Sequence, residues 1–468
     1  MGLSATAREA ARRFGDRVAV RDPDGRPTTY AALDALADRL AAGLQARGVR
    51  PGQLVALLLP ADVDHVAALI AADRVGAVTV DVSTALPADT LDAALARLAP
   101  DHIVRSEELP ALRAAEAAVA AAPERAPGEP VVVVLTSGTT GVPKGATFGA
   151  EQVAAITASD VGAAWGQGGP MIVATGLAHV GFVLKLDGYL RAGSTLLLLA
   201  RWRAADVLRL VQEHRISVIG GVAAQVALLL AELDRGAYDV SSVQLLVVGA
   251  GPSPRPLVEA AKRAFGAGYS IRYSMTETGA LGCAGAPDDE GDALATVGRP
   301  RPGFEVELRG ADGVVADGEV GRIWVRSDTV MSGYWRDPDA TAAALLDGWL
   351  RTSDLGRWQG DRLVVVGRAD DVFIRGGYNV HPLAVEQVLA AHPAVAQVAV
   401  APRADDVMGQ VGVAVVVPRA PVTLEELRSF ASAALARHAL PEDLLVVDAL
   451  PLTAGQKLDR AALARLVG

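Results

Sequence analysis

The chain has 468 residues, 51% of them hydrophobic and 21% charged, with a mean hydropathy of +0.28. It is about three times the size of an ordinary domain, so more than one core is expected and a disordered or collagen-like chain is excluded. A formal charge of −10 and only 4% aromatic residues argue against a nucleic-acid partner, which needs cationic surface and stacking rings.

Residues 29–48 put Leu33, Leu36, Leu40 and Leu44 on one helical face and end at Gly48, where a residue without a Cβ most easily adopts a left-handed cap. The apolar run 54–59, a helical stretch 62–74 and the run 78–82 follow, and similar alternation returns at 171–174, 195–199, 217–222 and 243–248. Apolar strands between helices predict an α/β fold with parallel or mixed sheets covered by helices. The Ala/Glu/Pro-rich stretch 107–130 reads as a helix and surface connector. From 303 to 366, short alternating segments between turns predict an antiparallel, β-rich subdomain. Beyond 370 a small α+β unit is expected: helix 382–392, strands 395–402 and 411–417, helix 424–438 and a tail. The chain thus divides into a large domain, 1–369, and a small one, 370–468. The one cysteine, Cys283, allows no intramolecular disulfide, and neither a secretory leader nor a membrane-spanning run is read, so a cytoplasmic location and no membrane partner are expected.

The sharpest local signal is Leu135-Thr-Ser-Gly-Thr-Thr-Gly-Val-Pro-Lys-Gly145, which follows four valines where a buried strand should end. Gly138 and Gly141 permit close backbone approach, Thr136, Ser137, Thr139 and Thr140 offer hydroxyls, and Lys144 supplies a point charge suited to phosphate. The Walker pattern is absent, because Lys144 is preceded by Pro143 and followed by Gly145. Four of the 44 basic residues are lysines, Lys144, Lys185, Lys262 and Lys457. Where arginine serves almost everywhere else, a retained compact ammonium points to a site that a planar fork does not suit.

Further segments follow in order: Tyr273-Ser-Met-Thr-Glu-Thr, Gly298-Arg-Pro-Arg-Pro-Gly303, Gly348-Trp-Leu-Arg-Thr-Ser-Asp-Leu-Gly356, Gly367 to Pro382, and Leu450-Pro-Leu-Thr-Ala-Gly-Gln-Lys-Leu-Asp-Arg460. With the 136–145 loop they resemble, over nearly the whole chain, the adenylate-forming (AMP-binding) superfamily, most of all its acyl- and aryl-CoA ligases. The resemblance implies activation of a carboxylic acid by ATP to an acyl-adenylate with release of pyrophosphate, then transfer to coenzyme A, with Mg²⁺ as the metal. It implies phosphate contacts from 136–141 and Lys144, and a donor to the α-phosphate from Thr276. Gly249, Ala250, Gly251, Tyr273 and Ser274 would lie around the nucleotide, Asp354 and Arg368 at the ribose, and Glu277 on Mg²⁺. Lys457 would bridge carboxylate and α-phosphate, and Asp370 would be the hinge about which the small domain turns between half-reactions.

The same resemblance implies an acyl pocket from His179, Val180, Val183, Gly221, Val222, Gly249, Met275 and Ala280, and a pantetheine path past His179, Gly376, Gly377 and Tyr378. Each has a plainer alternative: a packed histidine, or a hairpin turn with paired glycines. Residues 171–186 contain no acid to receive a substrate ammonium, so an uncharged acyl or aryl tail is expected over an amino acid. Ser274, Ser353 and Gln456 stand where the family pattern has glycine. Transfer to a carrier protein's phosphopantetheine is the second expectation, and Gln456, beside Lys457, leaves a catalytically silent nucleotide- or acyl-binding homologue as a third.

Overall fold

A computed structural model describes residues 2–84, 86–115, 125–136, 143–162, 164–174, 176–251, 253–289, 292, 296–452 and 458–468. The expected first helix is Tyr30–Ala46. Thr29 caps it by accepting from the Ala32 N–H at 3.2 Å, the four leucines are buried, and Gly48 follows at φ +92°. Gly43 is needed inside it, since a Cβ there would lie 2.3 Å from the Leu112 carbonyl oxygen. Helix Val63–Arg74 and strands Leu54–Leu58 and Val78–Asp81 complete the alternation read from the sequence.

Among the described residues, four sheets build the large part. In the first, Pro130–Leu135, Val78–Asp81, Leu54–Leu58 and His102–Arg105 run parallel, and Gly145–Gly149 and Gly333–Tyr334 add antiparallel edges. In the second, Val218–Val222, Leu245–Gly249 and Gly268–Ser274 are parallel, and Gly282–Ala284 and Arg299–Pro300 antiparallel. The third joins Pro170–Val173, Thr195–Leu198 and Val18–Arg21 in parallel, with Pro27–Thr29 antiparallel at its edge. The expected β-rich region is an antiparallel sheet of six strands between Glu305 and Arg368. One core, built on Val132, Phe148, Ile156, Leu281, Ile323 and Leu363, joins this sheet to the first two.

The C-terminal strands Phe373–Arg375, Tyr378–Val380, Val395–Asp405, Gly409–Pro418 and Asp443–Val446 form a separate sheet. Helices Pro382–Leu389 and Leu424–Ala431 cover one face, and Arg460–Val467 covers the other through Leu463 and Val467. Two helices end earlier than expected, the one read over 382–392 at Leu389. The one read over 424–438 ends at Ala431, beyond which Arg437–Ala439 is a separate 3₁₀ turn, and Arg428 donates to the Pro441 carbonyl at 2.6 Å to hold the chain back. Within 107–130 the helix Leu109–Arg113 is present as expected, and 116–124 lie outside the described residues. Among the described residues no helix is long and apolar enough to cross a membrane.

Candidate active site

Strands Pro130–Leu135 and Gly145–Gly149 pair antiparallel with Leu135 opposite Gly145, and the Thr136 N–H donates to the Lys144 carbonyl at 2.8 Å. The valine strand thus ends at Leu135, as the sequence implies. Thr136 is buried and Lys144 half-buried; Ser137, Gly138, Thr139, Thr140 and Gly141 lie outside the described residues. The Lys144 Nζ sits 4.9 Å from the centre of the Tyr334 ring. The Tyr334 hydroxyl donates to Glu277 Oε1 at 3.0 Å. Burial, then the Glu277 charge, hold the phenol well above its ordinary pKa, so it stays a donor. Tyr334 was not singled out in the sequence; its signal is an aromatic pair, Tyr334-Trp335, in a chain poor in aromatics.

Strand Gly268–Ser274 leads directly into the 3₁₀ turn Thr276–Thr278, which presents Thr276 and Glu277. Gly279 closes that turn at φ +67°, where a Cβ would come 2.4 Å from Ile156. Ala250 (φ +64°) and Ala280 (φ +58°) are left-handed without being glycine. Backbone of that kind costs on the order of 1 kcal/mol and tends to persist at functional sites.

From the same strand Gly268–Ser274, the Tyr273 hydroxyl donates to Asp354 Oδ2, in strand Trp349–Gln359, at 2.7 Å. Asp354 and Arg368 are cross-strand partners, with Arg368 Nε 3.7 Å from Asp354 Oδ1. Burial raises the Asp354 pKa; the Tyr273 hydroxyl and Arg368 pull it down, and Asp371 and Asp370 push it up. A carboxyl so placed gains from further donors, and a pair of ribose hydroxyls would supply them. Val180, Val183, Met275 and Ala280, expected to line an acyl pocket, pack with Tyr273 and Tyr334 on the shared core. Exposed His179 caps the short helix Val180–Val183, its Nδ1 accepting from the Gly181 N–H at 3.0 Å. Gly221 and Val222 end their strand beside Gln225, whose Oε1 accepts from the Val222 N–H at 3.1 Å.

Gly376 (φ +54°) and Gly377 (φ +86°) form a two-residue hairpin turn between Arg375 and Tyr378, which the positive φ values alone explain. Tyr378 is exposed and stacks on His438, ring centres 4.7 Å apart. Asp370 is exposed in the 3₁₀ turn Ala369–Asp371, next to the last strand of the β-rich sheet. Lys457 and Gln456 lie outside the described residues; on either side of them Leu452 and Leu458 pair. Arg460 grips Glu386 through two nitrogens, at 2.7 and 3.1 Å, and lies 3.6 Å from Asp371.

Among the described residues no group of three or more His, Cys, Asp or Glu side chains is placed to hold a metal through protein ligands alone. One carboxylate, Glu277, which shares Tyr334 with Lys144, suits Mg²⁺, which commonly keeps its waters and shares substrate phosphates with one or two carboxylates.

Hydroxyl, ammonium and carboxylate groups at the ends of strands in an α/β fold define the class to which the comparisons assign the chain. The chain belongs to the AMP-binding enzyme family: residues 7–335 match the profile of that family and 384–457 that of its C-terminal domain. It is 30% identical to a 2-succinylbenzoate–CoA ligase of Bacillus cytotoxicus, over 97% of this chain and 96% of the relative. The solved O-succinylbenzoate coenzyme A synthetase of Bacillus subtilis in complex with AMP is 28% identical, with a TM-score of 0.87 over 98% of this chain and 97% of that one. The amide bond synthetase McbA of Marinactinospora thermotolerans is also 28% identical, with a TM-score of 0.87 over the full length of both. The arrangement shared with the synthetase is a large N-terminal and a small C-terminal domain.

Proposed function

We propose that this protein is an AMP-forming acid–thiol ligase: it activates an aromatic carboxylic acid with ATP and transfers the acyl group to coenzyme A. What supports this above all is Tyr334, on which a phosphate-loop lysine and the Glu277 carboxylate converge from motifs far apart in sequence. In the first half-reaction a carboxylate oxygen attacks the α-phosphorus and the bond to pyrophosphate breaks. Lys144 and the hydroxyls of 136–141 hold the departing phosphates, Thr276 donates to the α-phosphate, and Asp354, held by Tyr273 and Arg368, takes the ribose. Mg²⁺ on Glu277 would supply positive charge to the phosphates. Lys457 brings the two anions together by balancing charge that builds in the transition state. In the second, the thiol sulfur attacks the acyl carbon, its proton is lost and AMP leaves.

The small domain, 370–468, turns about Asp370 to exchange these tasks, and Gly376, Gly377 and Tyr378 border the thiol arm. A cytoplasmic location fits a reaction fed by ATP and coenzyme A. The likeness to an amide bond synthetase favours one second reading, transfer of the same adenylate to an amine. The test is pyrophosphate release with ATP, Mg²⁺ and a panel of aromatic acids headed by 2-succinylbenzoate, followed by coenzyme A, a holo carrier protein or an amine as acceptor. Release with thioester formation on coenzyme A is expected. Amide or carrier thioester in its place would change the acceptor, and nucleotide binding without release for any acid would leave a silent homologue.

A further inference from the structure

Arg272 has no role in the chemistry described so far, and its surroundings are unusual for an arginine. It lies in strand Gly268–Ser274, paired with Gly249 on one side and Ala284 on the other. Side chains alternate along a strand, so while Tyr273 goes to Asp354, Arg272 goes to the opposite face with Ser274. A Cβ built on Gly249 would lie 3.6 Å from that of Arg272, so the absent side chain leaves space on this face. Gly249 is one of the expected acyl-pocket positions, and Met275 and Ala280 follow Arg272 closely in the chain.

The Arg272 Nε is buried without a hydrogen-bond partner, and among the described residues no carboxylate comes within ion-pair distance of the side chain. The acid in its neighbourhood is Asp160, which is already engaged: Lys185 Nζ lies 2.6 Å from one oxygen and Arg301 Nη1 2.7 Å from the other. Arg301 also donates to the Ser159 carbonyl at 2.5 Å. Three cations therefore lie around one carboxylate that pairs with only two of them. Burial, then the nearby Arg301, lower the Arg272 pKa, and Asp160 opposes them. A guanidinium stays charged all the same, and burying such a charge unpaired is costly. Lys185, itself buried, directly follows the helix that carries Val180 and Val183.

We propose that Arg272 receives a second anionic group on the acid substrate, remote from the carboxylate that is activated, and that the enzyme thereby selects aromatic dicarboxylates over monocarboxylates. This rests on the acid-activating reading above and deepens it: the apolar lining takes the ring, and the cationic surplus around Asp160 takes the far carboxylate. A charge-assisted contact in a partly dry pocket gives a preference of about 10- to 100-fold.

The test compares 2-succinylbenzoate with 4-oxo-4-phenylbutanoate, the same acid without the ring carboxylate. Binding is read by calorimetry, turnover by pyrophosphate release, and folding by thermal melting, for wild type, Arg272→Met and Arg272→Lys. Wild type should prefer the diacid at least about tenfold. Arg272→Met should erase that preference by weakening the diacid and leave the monoacid within about twofold, and Arg272→Lys should restore part of it. Equal weakening of both acids would assign Arg272 to phosphate or scaffold and overturn the proposal, as would wild type without a preference, a reading that stands even where a variant does not fold. Calorimetric preference that disappears in Arg272→Met, with no pyrophosphate from any acid, would sustain Arg272 and overturn the ligase reading. Turnover of both acids alike would do the reverse.

Discussion

At Tyr334 one phenol serves two charges, its ring facing the Lys144 ammonium and its hydroxyl donating to Glu277. Tyr334→Phe keeps the ring and removes the donor. A hydrogen bond to a charged group contributes about 1.5–3 kcal/mol, so an untethered Glu277 should raise the Mg²⁺ concentration needed for half-maximal pyrophosphate release by about tenfold or somewhat more. Activity at saturating Mg²⁺ should recover most of the wild-type value. Activity lost equally at every Mg²⁺ concentration would mean that the hydroxyl acts elsewhere. Glu277 and Asp354 were legible because their segments carry residue types and spacings of their own. Their supports were not: Tyr334 reaches Glu277 across 57 positions, and Arg272 is marked by its missing partner, which no local pattern records.

Among the elements, the turn from strand Leu54–Leu58 to the helix after it, inside the parallel sheet, carries a buried pair. His65, in helix Val63–Arg74, lies with Nε2 2.7 Å from Asp81 Oδ1 and Nδ1 3.1 Å from the Pro60 carbonyl oxygen. Both neighbours accept, so both nitrogens must donate, which requires the imidazolium. Burial disfavours that charge, but Asp81 and the Pro60 carbonyl overcome it and the pKa is raised. A raised folded pKa stabilises fully below the unfolded value of about 6.5, and that contribution is lost as pH climbs through the folded value. Melting temperature should therefore fall as pH rises above about 6.5 in the wild type and fall less steeply in His65→Gln. Parallel slopes for the two proteins would remove the charged pair from the account. Helix 30–46 was readable because its leucine period and glycine stop are local properties. The early end at Ala431 was not, since it involves an arginine reaching a carbonyl 13 positions on.

Across the whole molecule the question is how a single nucleotide site runs two reactions. The sequence order of motifs anticipated the large α/β part and the small sheet after Phe373, but not the contacts that fasten the tail within the small domain. Arg460 joins the C-terminal tail both to Glu386 and, at 3.6 Å, to the turn containing Asp370 and Asp371. If Lys457 acts in adenylation alone, Lys457→Ala should abolish most pyrophosphate release and leave thioester formation from supplied acyl-adenylate largely intact. A turn that must reorganise between half-reactions responds differently. Proline fixes φ near −65°, within the range of a 3₁₀ turn, so Asp370→Pro should hold the small domain as it stands. One half-reaction should then continue within a few-fold of wild type while the other drops by at least about tenfold, measured separately as pyrophosphate release and as thioester from supplied adenylate. Loss of both half-reactions to the same degree in both variants would place Lys457 and Asp370 in the scaffold and leave the division of labour without support.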